Sequence, residues 1–177
     1  EHMNAEKTET LIRRAIKWRR ETYAYTLLGQ ELPEDYAWNY PFYSDGVDKQ
    51  GIPVYSLPAG SWDLRHIVES GEKDKFVRYI TQMYLKIEQH MISLNRERHA
   101  NRENEENASE QGTPNKQQST GVIIIVDLKG YSRSQLTSLR TVEAALEIAT
   151  NYGNYFPQMA EKVYLINGNN IYLLLPP

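Results

Sequence analysis

Two serines in a short polar loop, Ser132 and Ser134, are the side chains whose type and spacing come closest to a chemical site. A serine hydroxyl acts as a nucleophile when a general base removes its proton. No histidine follows Ser132, so the base would have to come from upstream, where His66, His90 and His99 lie far apart. The sequence has no HExxH motif, glycine-rich phosphate loop or nucleophile elbow. We therefore predict a protein that is not an enzyme.

Two other roles remain open for the serine loop. Ser132 or Ser134 could cap a helix that begins near Leu136, because a serine side chain satisfies a free N–H of the first turn. Alternatively, the two hydroxyls bind the polar end of a ligand. The loop follows Val122–Val126 and Asp127, a pattern typical of a strand that is buried on both faces and feeds a helix. In open α/β sheets, ligands bind at the carboxyl ends of such strands.

Composition limits the function classes. The chain has 177 residues, a net charge of -3 and no cysteine. This predicts a single globular unit, gives no electrostatic reason to expect nucleic acid, and excludes disulfides and thiolate metal sites. The longest apolar runs, Val122–Val126 and Ile171–Leu175, are far shorter than the roughly 20 residues of a membrane span. We expect a cytoplasmic protein without a cofactor, and we interpret residues 1–3 as a cloning remnant.

Hydrophobic periodicity predicts the elements around the central strand. Apolar residues at helical spacing predict helices over Thr8–Arg20, Glu72–Leu94 and Thr137–Asn151, the last ending at Gly153. Strands are predicted over Ile52–Leu57 and Val163–Asn167, the latter parallel to the central strand through a right-handed crossover. Asn95–Thr120 contains no large apolar residue, so we predict a flexible loop there.

Three motifs in this order resemble the CRAL-TRIO lipid-binding domain family. They are the strand that continues into DLKGYS (Asp127–Ser132), the later NYFPQ (Asn154–Gln158) before a strand ending in Ile166-Asn167, and the upstream DKQGIPV (Asp48–Val54). The resemblance implies an α/β fold in which helices flank a mostly parallel sheet. It also implies that residues 1–30 end an amino-terminal helical lobe and that residues 31–177 form part of the lipid-binding domain.

The resemblance also assigns candidate site residues. Ser132 and Ser134 match a Ser-X-Ser motif whose hydroxyls touch the phospholipid headgroup in members that exchange phosphatidylinositol and phosphatidylcholine. Tyr55 matches an aromatic residue that lines the pocket, although an ordinary strand tyrosine is the alternative. We expect an apolar tail to lie against the following residues of the strands and the long helix: Tyr55, Met83, Tyr84, Ile87 and Ile125.

The chain departs from the family pattern at its carboxyl end. Family members continue with a gate helix, a further strand and a basic stretch, whereas this sequence stops at LLLPP. We therefore expect a domain shortened at the carboxyl end, with an open pocket and self-association through Ile171–Leu175. Two functions follow from the resemblance. The first is the binding or transfer of a lipid at a transient membrane surface. The alternative is a protein-interaction module, for example one that binds small GTPases.

Overall fold

A computed structural model describes residues 5–31, 33–108, 120–157 and 159–168. This part of the chain contains four strands and six α-helices, with 3₁₀ turns at Ala24–Gly29 and Ala59–Ser61. The elements in chain order are α1 (Ala5–Glu21), α2 (Glu34–Asn39), β1 (Tyr43–Val47), β2 (Pro53–Leu57), α3 (Leu64–Glu69), α4 (Lys73–Ala108), β3 (Val122–Asp127), α5 (Arg133–Leu136), α6 (Leu139–Tyr155) and β4 (Ala160–Ile166).

The strands form one mixed sheet in the order β1-β2-β3-β4. The first pair is antiparallel, and β2, β3 and β4 are parallel to one another. Helix α4 connects β2 to β3, and α6 connects β3 to β4. The predicted α/β class and the predicted parallel pair are therefore confirmed. Residues Val122 to Ile124 are buried and Ile125 and Val126 are half-buried, so the central strand is less enclosed than its sequence predicts.

Both connecting helices cover the same face of the sheet. Two successive right-handed crossovers that advance in one direction place their helices on one side. Tyr55 on β2 reaches His90 on α4, and Tyr84 on α4 contacts Tyr152 on α6. The main core lies in this layer, where Tyr55, Leu57 and Ile124 join the buried side of α4 in one hydrophobic cluster. We call this side of the sheet the helix face.

The alternate strand residues point to the other side of the sheet, because successive side chains in a strand alternate between faces. Their pairing is direct: Val54 lies beside Ile123, Ser56 beside Ile125, and Ile125 beside Tyr164. We define the open face by these six residues: Val54, Ser56, Ile123, Ile125, Tyr164 and Ile166. Lys162, beside Ile123, lies on the same side of the sheet. Exposure on this face rises from 7% at Ile123 in the centre to 49% at Tyr164 on the outer strand.

Helix α4 is longer than its apolar stripe predicts. The prediction of a flexible loop from Asn95 was wrong over residues 95–108, which are helical. Extending an existing helix avoids the cost of nucleation, so a polar sequence can continue it. Two contacts support the extension, because the Asn95 amide donates to the Thr120 carbonyl and Arg98 donates to the Gly51 carbonyl. The rest of the predicted loop, residues 109–119, lies outside the described residues.

Helix α6 continues past Gly153 to Tyr155, so the predicted end at the glycine was wrong. A glycine inside a helix costs about 1 kcal/mol relative to alanine. The last turn offsets this cost, because Tyr155 stacks on Trp18 of α1 at 4.4 Å between ring centroids. The apolar repeat that predicts this helix is largely exposed, with Leu139 at 73% and Leu146 at 62%.

Candidate functional site

The carboxyl ends of β3 and β4 are joined by a polar contact. The Asp127 carboxylate accepts hydrogen bonds from the Asn167 amide at 2.7 Å and from the Lys129 backbone N–H at 2.8 Å. These bonds, the Asn167 bond foremost, hold the pKa of Asp127 below its ordinary value. Gly130 then turns the chain with φ +84, a conformation that favours glycine. The predicted position of Asp127 at a strand's carboxyl end is confirmed.

The serine loop begins immediately after this turn. Ser132 is the N-cap of α5, and its Oγ accepts a hydrogen bond from the Ser134 backbone N–H. The two hydroxyl oxygens are 2.7 Å apart, and both residues are exposed. The structure therefore brings Ser132 and Ser134 together. Ser132 is a helix cap as predicted, but of the short helix α5, which ends at Leu136; the helix predicted to begin near Leu136 begins at Leu139 and is capped by Ser138. Capping does not consume the hydroxyl protons, because one serine oxygen both accepts and donates.

The serine loop is fixed to the segment that follows β2. Gln135, 5% exposed, accepts from the Leu64 N–H and donates to the Trp62 carbonyl. Arg65 donates to the Ser134 carbonyl at 3.0 Å. A Cβ added to Gly60 would lie 2.3 Å from the Leu128 carbonyl carbon, so the two connections pack backbone against backbone. No motif marks these contacts in the sequence.

Three of the predicted tail-binding residues lie in the main core, between α4 and the sheet. Tyr55, Met83 and Ile87 are 3%, 1% and 1% exposed. Burial raises the pKa of Tyr55, whose hydroxyl is bonded to the His90 ring. Packing on the helix face therefore accounts for all three, and a ligand could reach them only by displacing core side chains.

Tyr84 lies where α4 meets α6. Its ring contacts those of Tyr152 and Phe156 edge-to-face at centroid distances of 5.3 and 5.2 Å. Burial, assisted by the neighbouring Tyr152, raises the Tyr84 pKa well above the usual tyrosine range. Tyr84 is thus an ordinary member of an aromatic cluster between the helices.

Ile125 is the predicted tail-binding residue that lies on the open face. It occupies the middle of a row across all four strands, Tyr43–Ser56–Ile125–Tyr164. Sequence reasoning missed its neighbours Val54, Ser56, Tyr164 and Ile166. Their signal was the period-two alternation of the strands, but the sequence does not say which of the two faces the helices cover.

Other features of the described chain lie away from these residues. A cavity of about 260 Å³ opens between α1 and α6, lined in part by Leu11, Tyr152 and Phe156, and includes none of the predicted site residues. Within the described ranges, no cluster of three histidine or acidic side chains could hold a metal ion. Those ranges also contain no helix with the length and apolar character needed to cross a membrane.

Comparison with known proteins identifies the class. The CRAL/TRIO domain matches residues 37–174, so the chain belongs to the CRAL/TRIO domain family. It is 23% identical over 176 residues to the phosphatidylinositol/phosphatidylcholine transfer protein SFH9 of Arabidopsis thaliana, covering 96% of this chain and 27% of that protein. It is 28% identical over 160 residues to the SEC14 cytosolic factor of Yarrowia lipolytica, covering 85% of this chain and 28% of that protein. The chain thus spans about a quarter of each relative's length.

Proposed function

We propose that this chain binds a phospholipid, such as phosphatidylinositol or phosphatidylcholine, and transfers it at a membrane surface without an enzymatic step. Its acyl chains would lie on the open face and its polar end near Ser132 and Ser134. The observation that carries this proposal is the continuity between the two parts. The open face ends at Ile166, beside Asp127, and the serine loop begins a few residues after that aspartate.

The open face has the chemistry that acyl chains require. Four of these six side chains are aliphatic, and burial of apolar surface yields about 25 cal/mol per Å². The charged residues on the same side, Lys162 beside Ile123 and Asp127 beside Ile166, lie at the two ends of the β3–β4 pairing. The four strands give the face a width of about 14 Å, since neighbouring strands are about 4.8 Å apart. Tyr164 and Ile166 remain 49% and 43% exposed, so a bound chain would remove apolar surface from water. Met83, Tyr84 and Ile87 already pack in the main core, so their role in lipid binding stays a prediction from the resemblance.

Adjacent residues on β4 provide a matched test of the acyl site. Tyr164 lies on the open face and is 49% exposed, whereas Leu165 lies on the opposite side and is 54% exposed. Tyr164→Asp should abolish binding of fluorescent phosphatidylcholine, because it places a charge against the acyl chains. Leu165→Asp should bind as the wild type does. Equal loss in both variants would contradict the placement, and solvent extraction with mass spectrometry should recover one lipid per wild-type chain.

The serine loop provides a second test, of the polar end. Replacing Ser132 and Ser134 together with alanine should weaken phospholipid exchange while an apolar ligand stays bound, because only the polar end loses hydrogen-bond partners. Ser138→Ala is the matched control, because Ser138 caps α6 by accepting from the Thr141 N–H. Equal loss of both ligands in the double variant would indicate a damaged helix cap.

A protein-interaction role, including self-association, is the second candidate. Exposed apolar side chains on α6 and β4, among them Leu146 and Val163, favour it. We propose that this surface contacts a second copy of the chain. The segment Ile171–Leu175, which sequence analysis places in that contact, lies outside the described residues. Light scattering at micromolar concentration should give a dimer, and Leu146→Asp should give a monomer. A wild-type monomer of about 20 kDa, near the chain mass of 20.6 kDa, would contradict self-association.

We also propose the cytoplasm as the compartment of this protein, as the composition suggests. The absence of cysteine is compatible with a reducing environment but does not require one. Fluorescence microscopy of a tagged full-length protein tests this placement. Diffuse cytoplasmic signal with partial recruitment to membranes is the expected result, and a secreted or lumenal signal would contradict it.

A further inference from the structure

Gln135 is a buried amide inside an otherwise exposed loop. Gln135 is 5% exposed, whereas Ser132 and Ser134, which precede it in the loop, are exposed. Both ends of the amide bond to the segment after β2. The Oε1 atom accepts from the Leu64 N–H at 3.2 Å, and Nε2 donates to the Trp62 carbonyl at 3.0 Å. The connection after β3 is therefore tied to the connection after β2.

Arg65 reinforces the same junction. One guanidinium nitrogen donates to the Ser134 carbonyl at 3.0 Å and to the Thr137 hydroxyl at 3.3 Å. A buried amide with both ends bonded favours a single arrangement, because any shift leaves a donor or acceptor without a partner. Ser132 and Ser134 are bonded to each other, so displacement of the loop moves both hydroxyls together.

We propose that Gln135 is a positioning residue for the polar end of the lipid: it holds the Ser132 and Ser134 hydroxyls at a fixed place beside the carboxyl edge of the open face. This inference rests on the proposed function, since it concerns the same site. Gln135 itself would not touch the lipid. Its loss should therefore reduce selectivity for a phosphate-bearing lipid more than it reduces acyl-chain binding.

Gln82 is a matched control elsewhere in the fold. It is 4% exposed, and its Nε2 donates to the Leu27 and Gln30 carbonyls at 2.5 and 2.9 Å. These bonds join α4 to the 3₁₀ turn at Ala24–Gly29 and involve no residue of the serine loop. Gln135→Met and Gln82→Met each remove two hydrogen bonds to backbone groups at similar side-chain volume. A general loss of stability should therefore affect both variants alike.

The experiment compares binding of phosphatidylcholine with binding of diacylglycerol that carries the same acyl chains. Gln135→Met should weaken phosphatidylcholine binding about tenfold and diacylglycerol binding by no more than about twofold. Gln82→Met should keep the wild-type ratio of the two affinities. Equal weakening of both ligands by Gln135→Met, or an equal change of ratio by Gln82→Met, would overturn the inference. A wild-type protein that binds neither lipid would instead overturn the proposed function, and this inference with it.

A second variant keeps the test valid should Gln135→Met fail to fold. In Gln135→Glu, a protonated carboxyl restores one donor and one acceptor, whereas the ionised form presents only acceptors to the Trp62 carbonyl. Burial raises the pKa of a carboxyl group, so acidification should restore phosphatidylcholine affinity in this variant. Wild-type affinity and diacylglycerol affinity should stay flat over the same pH range. A Gln135→Glu protein with the wild-type affinity ratio at every pH would overturn the inference.

Discussion

The two faces of the sheet differ in how their apolar side chains are satisfied. On the helix face, Tyr55 and Ile124 are sealed by α4 and α6 into the main core, whereas Val163 and Leu165 on the outer strand β4 are 50% and 54% exposed. On the open face, Ile125 is half-buried and Tyr164 is half-exposed. Both faces come from the same strands, and alternate residues supply each. Apolar character alone therefore does not distinguish the covered face from the open face; the handedness of the crossovers does.

The largest expected effect concerns the ion pair that joins α1 to α4, one of the two helices that cover the helix face. Arg19 of α1 and Glu88 of α4 form an ion pair at 2.6 Å, with side chains 13% and 16% exposed. Arg19→Met leaves the Glu88 charge without its partner and should lower the free energy of unfolding by about 3–5 kcal/mol in urea titrations.

The double variant provides the control. Arg19→Met with Glu88→Met should recover stability to within about 1 kcal/mol of the wild type, because no charge is then left buried alone. A double variant no more stable than Arg19→Met would show that the loss comes from packing rather than from the charge.

The next prediction compares the two faces directly. Ile87, on the α4 helix that covers the helix face, is 1% exposed, and Ile166 on the open face is 43% exposed. Ile87→Ala should cost about 2–5 kcal/mol of unfolding free energy because it leaves a cavity in the core. Ile166→Ala should cost under about 1 kcal/mol, since much of its surface is already in water. Equal costs would mean that Ile166 is packed as a core residue is.

A smaller effect is expected at the carboxyl edge of the sheet, where the connections that follow β2 and β3 pack against each other. Gly60→Ala places a methyl group against the Leu128 backbone and should cost about 1–3 kcal/mol. Gly153→Ala is the matched control, because a Cβ there, in the last turn of α6, meets nothing within 4 Å. Thermal unfolding should show a gain of up to about 1 kcal/mol for Gly153→Ala. A neutral Gly60→Ala would show that the two connections can move apart.

The smallest effect concerns pH. The lowered pKa of Asp127 means that its bonds to Asn167 and Lys129 stabilise the fold above the unfolded pKa and are lost as pH falls through the folded pKa. The stability difference between wild type and Asp127→Asn should therefore be greatest near neutral pH. It should shrink as the pH falls below the ordinary value of 3.8. A difference that does not change between pH 7 and pH 3 would contradict this.

Sequence patterns predicted three of the four strands and the three long helices, because local periodicity reports them, but not β1 or the short helices α2, α3 and α5. The parallel β3–β4 pair and the capping role of Ser132 followed from local signals of this kind. The end of α4 did not, since a polar sequence can extend a helix already nucleated by its apolar half. Sequence analysis placed Met83 and Ile87 of α4 in a lipid pocket because it could not tell which face of the sheet this helix covers. Gln135 gave no signal, because its partners are backbone groups of residues more than seventy positions away.

The most direct measurement of the central claim is photo-crosslinking with phosphatidylcholine that carries a photoreactive group in its acyl chain. Peptide mass spectrometry then identifies the labelled residues. Lipid bound on the open face predicts labels on Val54, Ile125, Tyr164 and Ile166, and their reduction by competing unlabelled lipid. Labels confined to Met83, Tyr84 and Ile87 of α4 would contradict the account, because the lipid would then lie within the helix-covered core.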